Sequence, residues 1–336
     1  MSGRVFHAPF LDCMEGFELA AVVERHEKKA AERYPQVHSY DSVAELFGDD
    51  SLELIVVNTP NTTHYEYVRA ALEAGHHVVV EKPFTANSHQ AVELMDLSRN
   101  LNLMLTVFQN RRWDGDFLTV KEVIDEKLLG DLVEAEIHYD RYRPELNEVK
   151  KHKEIPDPGV GNIFDLGPHL IDEALVLFGR PEAVFAVVDT HRPGSRVDDY
   201  FDIKMLYGHF RCTLKSSILV REAGPGYIVH GALGSFVKSW VDVQEPALIR
   251  GESPCQPGWG RESEQDWGIL NTVVDGIPVR KRYPSLPGDY PAFFRGVYHA
   301  LREGGAPPVR LEDSLLNMRI IEAALESQRS RTVVPL

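Results

Sequence analysis

The chain has 336 residues, 43% hydrophobic and 26% charged, ordinary values for a globular protein that divides into about two domains. Its formal net charge of −15 argues against nucleic acid and anionic membranes as partners, since both favour clustered lysine and arginine. The first third alternates strand and helix signals. Residues 18–23 (ELAAVV) read as a buried strand, 26–33 as a helix, and Val37 as a short strand candidate. Asp41 is a candidate N-cap for a helix over 42–47, ended by Gly48. The run LIVV at 54–57 has the continuous apolar character of parallel strands. A helix over 62–74, a strand at 77–80, a helix over 88–99 and a strand at 103–108 complete the pattern. Strands spaced by helices in this way predict a doubly wound parallel sheet.

After Asn110 the pattern changes. A helix is expected over 116–127, then β-rich segments at 132–142, 183–190, 200–206, 210–217 and 227–237. Short connections between most of them predict a largely antiparallel, open sheet. Helices are expected over 163–178 and 314–327, and loops at 151–161 and 251–261. The expected domains are therefore 1–110, a doubly wound α/β unit, and 111–336, an α+β unit.

Cys13, Cys212 and Cys255 lie far apart with no CxxC among them, so three reduced thiols are expected. The sequence shows neither a leader pattern nor an apolar run of membrane-spanning length, which points to a cytoplasmic protein with no membrane partner. There is no HExxH, GxSxG, P-loop or EF-hand pattern, and no metal site is expected. The doublet His76-His77 is not metal spacing, since strand neighbours point to opposite faces.

Five motifs occur in register: Ser2-Gly3 before a helix, Thr59-Pro60-Asn61, Glu81-Lys82-Pro83, Asn110-Arg111-Arg112-Trp113, and Asp165-Leu166-Gly167-Pro168-His169. Together they resemble the Gfo/Idh/MocA oxidoreductases over essentially the whole chain. The segments 110–114 and 141–145 look most like the scyllo-inositol dehydrogenase branch. The resemblance implies a Rossmann-type domain followed by an α+β domain, a dimer or tetramer formed through the second sheet, and hydride exchange between NAD or NADP and a polyol or sugar hydroxyl. Members open with a strand and G-x-G-x-x-G, whereas here Gly3 fits the third glycine, the one that allows close helix–strand packing. The expected sheet thus lacks its first strand. Three explanations stand open: a truncated or misassigned start, a gap filled by another segment, or a non-catalytic dinucleotide sensor.

Oxidising a hydroxyl-bearing carbon requires a proton acceptor as well as a hydride acceptor. His169 is the candidate base, with Asp165 four residues earlier on one helical face. Spacing alone favours a packed histidine and an N-cap aspartate. The resemblance favours catalysis, because inositol dehydrogenases of the family use an Asp, a His and the Lys of Glu-Lys-Pro at the matching positions. Lys82 follows a parallel strand, where it can stabilise alkoxide character. Glu24 ends the second strand, where a carboxylate binds the ribose and favours NAD, while Arg25 points to NADP. The balance leans to NAD. Thr59, Pro60, Asn61, His64, Glu81 and Asn110 are further candidate cofactor neighbours. Trp113, Tyr142 and Arg143 are candidates for a polyol pocket. A keto-sugar reductase using the same residues is the enzymatic alternative.

Overall fold

The computed structural model describes residues 2–146 and 154–336, so positions 151–153 of the expected loop lie outside the described residues. A π-helical turn, Gly3–His7, leads into α1 (Ala8–Cys13). Then come β1 (Ala21–Val23), α2 (Ala30–Arg33), β2 (His38–Tyr40) and α3 (Val43–Phe47). These elements are shorter than expected. Only the last three residues of the 18–23 run form a strand, each half-buried rather than enclosed, and the strand expected at Val37 begins one residue later. The Glu24 carboxylate accepts from the N–H groups of Lys29 and Ala30, so α2 starts there and not at His26. The cap of α3 is Ser42, whose hydroxyl accepts from Glu45 N, while Asp41 pairs with Lys28 instead.

β3 (Leu54–Val57), α4 (His64–Glu73), β4 (His77–Glu81), α5 (Ser88–Asn100) and β5 (Leu105–Phe108) form the second parallel unit. Val78, Val79 and Val80 are fully enclosed and every residue of β5 is buried, as helices covering both faces require. β1 pairs with β2, and β3–β4–β5 form a separate sheet, all parallel. Among the described residues no strand lies between β1 and β3, so the doubly wound order has its central position open.

The second half contains α6 (Gly115–Asp125), β6 (Leu132–His138), α7 (Asn162–Asp165), α8 (Gly167–Phe178), β7 (Ala183–Asp189), β8 (Tyr200–Tyr207) and β9 (Phe210–Ser217). It continues through β10 (Tyr227–Gly231), β11 (Ser235–Lys238), α9 (Gln244–Ile249), β12 (Gly268–Val274), β13 (Ile277–Tyr283), α10 (Pro291–Arg302), α11 (Leu311–Ser330) and β14 (Val334–Pro335). Among the described residues the sheet order is β13-β12-β11-β10-β6-β9-β8-β7-β14, antiparallel except at β6–β9. The expected strand at 227–237 is a hairpin, β10–β11. The expected helix over 163–178 breaks at Leu166, because Pro168 has no N–H to donate to Phe164 O. Asp165 and His169 therefore sit on successive helices and not on one face of a single helix. The β12–β13 hairpin was not expected; its turn, Asp275-Gly276, has both φ angles positive (50° and 77°), as a two-residue type I′ turn requires.

Cys13 and Cys255 form a disulfide with Cα atoms 6.2 Å apart, and only Cys212 remains a thiol, buried. The expectation of three reduced cysteines is thereby corrected. Packing of α9 against the Gly3–His7 turn and of α10 against α1 brings the two segments together.

One large apolar core runs through both sheets, including Val57, Val80 and Val107 on one side and Ile137, Leu170 and Leu214 on the other. A smaller aromatic cluster of Phe10, Phe108, Phe293, Phe294 and Tyr290 fastens α1 to β5 and α10.

Candidate functional site

Parallel register aligns Val57 with Val80 and Val80 with Val107, so β3, β4 and β5 end level with one another. Three turns leave that edge: Thr59-Pro60-Asn61, Lys82-Pro83, and Gln109 leading into the 3₁₀ turn Asn110–Trp113. The crevice outside the carboxyl ends of such strands is where open α/β sheets bind ligands. His64 locks the first two turns together, with Nδ1 2.9 Å from Pro83 O and Nε2 3.0 Å from Thr59 O. Burial holds its pKa below the ordinary value. Asn61 donates through Nδ2 to Gly159 O, joining this crevice to the loop before α7.

Lys82 reaches the second half directly. Its Nζ donates to Asp165 O at 2.6 Å and to Asp165 Oδ1 at 3.3 Å. Asp165 is placed by a local device at the start of α7. The Asp198 carboxylate accepts from Ile163 N at 2.7 Å, and Gly161 precedes it at φ 122°. A Cβ at Gly161 would fall on that carboxylate, so glycine is required there. Burial raises the Asp198 carboxyl to about 6.

His169 lies in the first turn of α8 and is 6% exposed. Its Nδ1 is enclosed without a hydrogen-bond partner. Burial pushes the imidazole well below its ordinary pKa; the charges of Lys82 and Arg111, and to a smaller degree Arg141, act the same way against the opposing pull of Asp165. An imidazole held neutral beside an ammonium–carboxylate pair can accept a proton from a hydroxyl group. Lys82, Asp165 and His169 are thus brought together.

The other candidates divide. Gly3 packs so closely on Asn58, at the end of β3, that a Cβ would meet Asn58 Nδ2 at 2.5 Å. Glu81 points back to the N-terminus and accepts from Ser2 Oγ and from His7 Nε2, the latter at 2.9 Å. Glu24 is committed as a cap, with Oε1 taking the two α2 N–H groups and Oε2 taking Ser39 Oγ. Arg25 is exposed beside it and donates to Tyr67 Oη. Asn110 is buried at the end of β5. Arg111 and Arg112 tie the turn that opens the second half to later parts of that half through ion pairs: Arg111 with Asp114, Asp242 and Glu245, and Arg112 with Asp172 of α8.

Of the candidate pocket residues, Trp113 is half-buried at the end of the 3₁₀ turn that follows β5. Trp113 packs edge-on to Phe293 in the aromatic cluster. Tyr142 is 43% exposed, with its ring beneath Arg221 and its hydroxyl accepting from it. Arg143 is exposed. Sequence reasoning passed over Tyr139 and Arg141. The buried alternation Ala135, Ile137, Tyr139 was the available signal, because two further residues along that face stands Arg141, not Tyr142.

Residues 1–109 match the family model described as the NAD-binding Rossmann fold of the GFO_IDH_MocA oxidoreductases, and residues 121–336 match the model of their C-terminal alpha/beta domain. The scyllo-inositol 2-dehydrogenase (NADP(+)) IolW of Bacillus subtilis is 36% identical, the match covering all of this chain and 93% of that protein. An oxidoreductase structure from Bacteroides fragilis superposes with a TM-score of 0.92 at 47% identity, covering 100% of this chain and 96% of that one. The yvaA structure from Bacillus subtilis gives a TM-score of 0.96 at 36% identity, covering 100% and 95%.

Proposed function

This chain belongs to the Gfo/Idh/MocA family of NAD(P)-dependent oxidoreductases, and we propose that its reaction is the reversible oxidation of a hydroxyl group on a polyol or sugar of inositol type. The observation that carries this reading is a buried His169, its Nδ1 unpartnered among the described residues and its pKa lowered by burial and by Lys82, beside the Lys82–Asp165 pair at the carboxyl ends of the parallel strands. His169 takes the hydroxyl proton. Lys82 donates a hydrogen bond to the same oxygen as it gains alkoxide character, and Asp165 holds the ammonium in place. The product is a ketone or lactone carbonyl. We divide the chain at 110/111, which puts this centre between a cofactor half and a substrate half.

A nicotinamide dinucleotide fits this edge of the sheet. Among the described residues Gln109 Oε1, an acceptor, and His169 Nδ1 are buried there without partners, and a carboxamide N–H and a substrate hydroxyl can answer them. When bound, the cofactor supplies the hydride acceptor. Thr59, Pro60, Asn61, Lys82 and Asn110 would hold its nicotinamide end, and Arg25 its adenosine ribose. The lean towards NAD rested on a carboxylate facing the ribose, and Glu24 is already occupied as a cap. Exposed Arg25 then favours a 2′-phosphate, and the IolW relative is named for NADP(+). With scyllo-inositol and related polyols, the chain is expected to reduce NADP+ with the higher kcat/KM. Arg25→Ala should raise KM for NADP+ about tenfold or more and leave that for NAD+ nearly unchanged. Absence of turnover with every polyol and both cofactors would refute the reading.

The open face of the larger sheet carries exposed Val187 and Val273, and we assign it to contact between subunits of a dimer or tetramer. A monomeric mass by light scattering at micromolar concentration would remove that assignment.

A further inference from the structure

The extended segment beyond β6 carries a chemistry-bearing group that the mechanism does not use. Tyr139 N and Arg141 N donate to Lys215 O and Ser217 O at 3.0 and 2.9 Å. The strand alternation therefore runs on, and Arg141 shares the face of Tyr139. Its guanidinium lies 5.0 Å from the centre of the Tyr139 ring, and Tyr139 stacks on Trp240 at 4.3 Å. Buried Arg111 and Arg192 and half-buried Arg112 all have carboxylate partners. Half-buried Arg141 has none among the described residues. Two donors in the same stack, Tyr139 Oη and Trp240 Nε1, are buried and unanswered as well. The stack is tied to the catalytic centre: Asn162 of α7 donates to Ser216 Oγ at 3.0 Å, and Ser216 Oγ donates to Tyr139 O at 2.7 Å.

A guanidinium oriented by an aromatic ring, without a counter-charge and beside orphaned buried donors, is arranged for a ligand rich in oxygen. Resting on the dehydrogenase reading, we propose that Arg141 is a substrate-positioning residue that grips a pair of substrate oxygens, either vicinal hydroxyls or a carboxylate, while His169 and Lys82 act on the reacting carbon.

The test compares the unsubstituted chain with Arg141→Ala and Arg141→Lys, using scyllo-inositol as a neutral polyol and glucuronate as an acidic one. Steady-state kinetics and calorimetric binding are read for each, with thermal melting as a check on folding. Arg141→Ala is expected to weaken binding and raise KM about 10- to 100-fold, with a smaller effect on kcat. Loss for both ligands identifies a diol grip; loss for glucuronate alone identifies a carboxylate grip. The groups that charge His169 from the elements packed on it are Lys82, Arg111, Asp165 and Arg141, with Asp172 and Glu173 on its own helix. Arg141 depresses the imidazole, so its removal should move the acid limb of kcat/KM to higher pH, and lysine should restore it. Unchanged KM, binding and pH profile in a folded Arg141→Ala variant would overturn the proposal. If the unsubstituted chain binds a polyol but never turns it over, the dehydrogenase reading fails, and the binding comparison still decides the role of Arg141.

Discussion

Replacing His169 with alanine should lower kcat/KM by about 10²- to 10⁴-fold while the chain stays folded, since the loss is that of a positioned general base. Among the described residues His169 has no hydrogen bond through Nδ1 and no ion pair, so little of the described fold depends on it. The pH dependence sharpens the test. Burial and the charges of Lys82 and Arg111 depress the imidazole, so the neutral, proton-accepting form persists well into acid. The acid limb of kcat/KM should therefore lie below the ordinary imidazole value of about 6.5, with a plateau through neutrality. Lys82→Met should move that limb upward as well as slow the reaction, because it removes a charge that opposes protonation. A folded His169→Ala variant with less than a tenfold loss would make the imidazole a packing residue.

The parts of this molecule that could be read from the sequence are those where burial is one-sided or complete. Leu54–Val57 and residues 78–80 announce themselves because parallel strands covered on both faces run continuously apolar. β13 does not, since nearly all of Ile277–Tyr283 is exposed and carries no alternation, even though Asp275-Gly276 is a strong turn signal. α10 was missed for a related reason. Gly296 interrupts its stripe of Phe293, Phe294 and Val297, because a Cβ there would sit 2.7 Å from Pro308 Cβ. At the site, Lys82 and His169 were legible as motif residues. Glu24 was not, because its commitment to the start of α2 depends on where the chain turns. The Cys13–Cys255 pairing spans 242 residues, and nothing local in either segment points to the other.

Removing Arg111 should produce the largest loss of stability. Its Nη1 lies 2.9 Å from Asp114 Oδ2 and 3.3 Å from Asp242 Oδ2, its Nη2 lies 3.2 Å from Glu245 Oε2, and it is 6% exposed. It also lies over the rings of Tyr139 and Trp240. Breaking a buried pair from one side leaves charge without compensation, which costs about 3–5 kcal/mol. In a chain of this size that corresponds to a fall in Tm of roughly 4–7 °C. The loss should depend on pH. Burial already pushes the Asp114 carboxyl well above its usual range, and Arg111 is the main influence pulling it down. A carboxyl whose folded pKa is raised contributes its full stability below the unfolded value and loses it as pH rises through the folded one. Without Arg111 the folded value rises further, so Arg111→Met should be least destabilised in acid and progressively worse with rising pH. Even in the unsubstituted chain, Asp116, raised by burial to about 7, should lower Tm as pH passes through neutrality. Adding Asp114→Asn to Arg111→Met removes one stranded charge and should recover part of the loss, a coupling that a double-mutant cycle measures directly. If Arg111→Met melts within 2 °C or so of the unsubstituted chain at pH 8, the carboxylates around it are already protonated and the guanidinium is not what holds the 110–113 turn to the segment carrying Asp242 and Glu245.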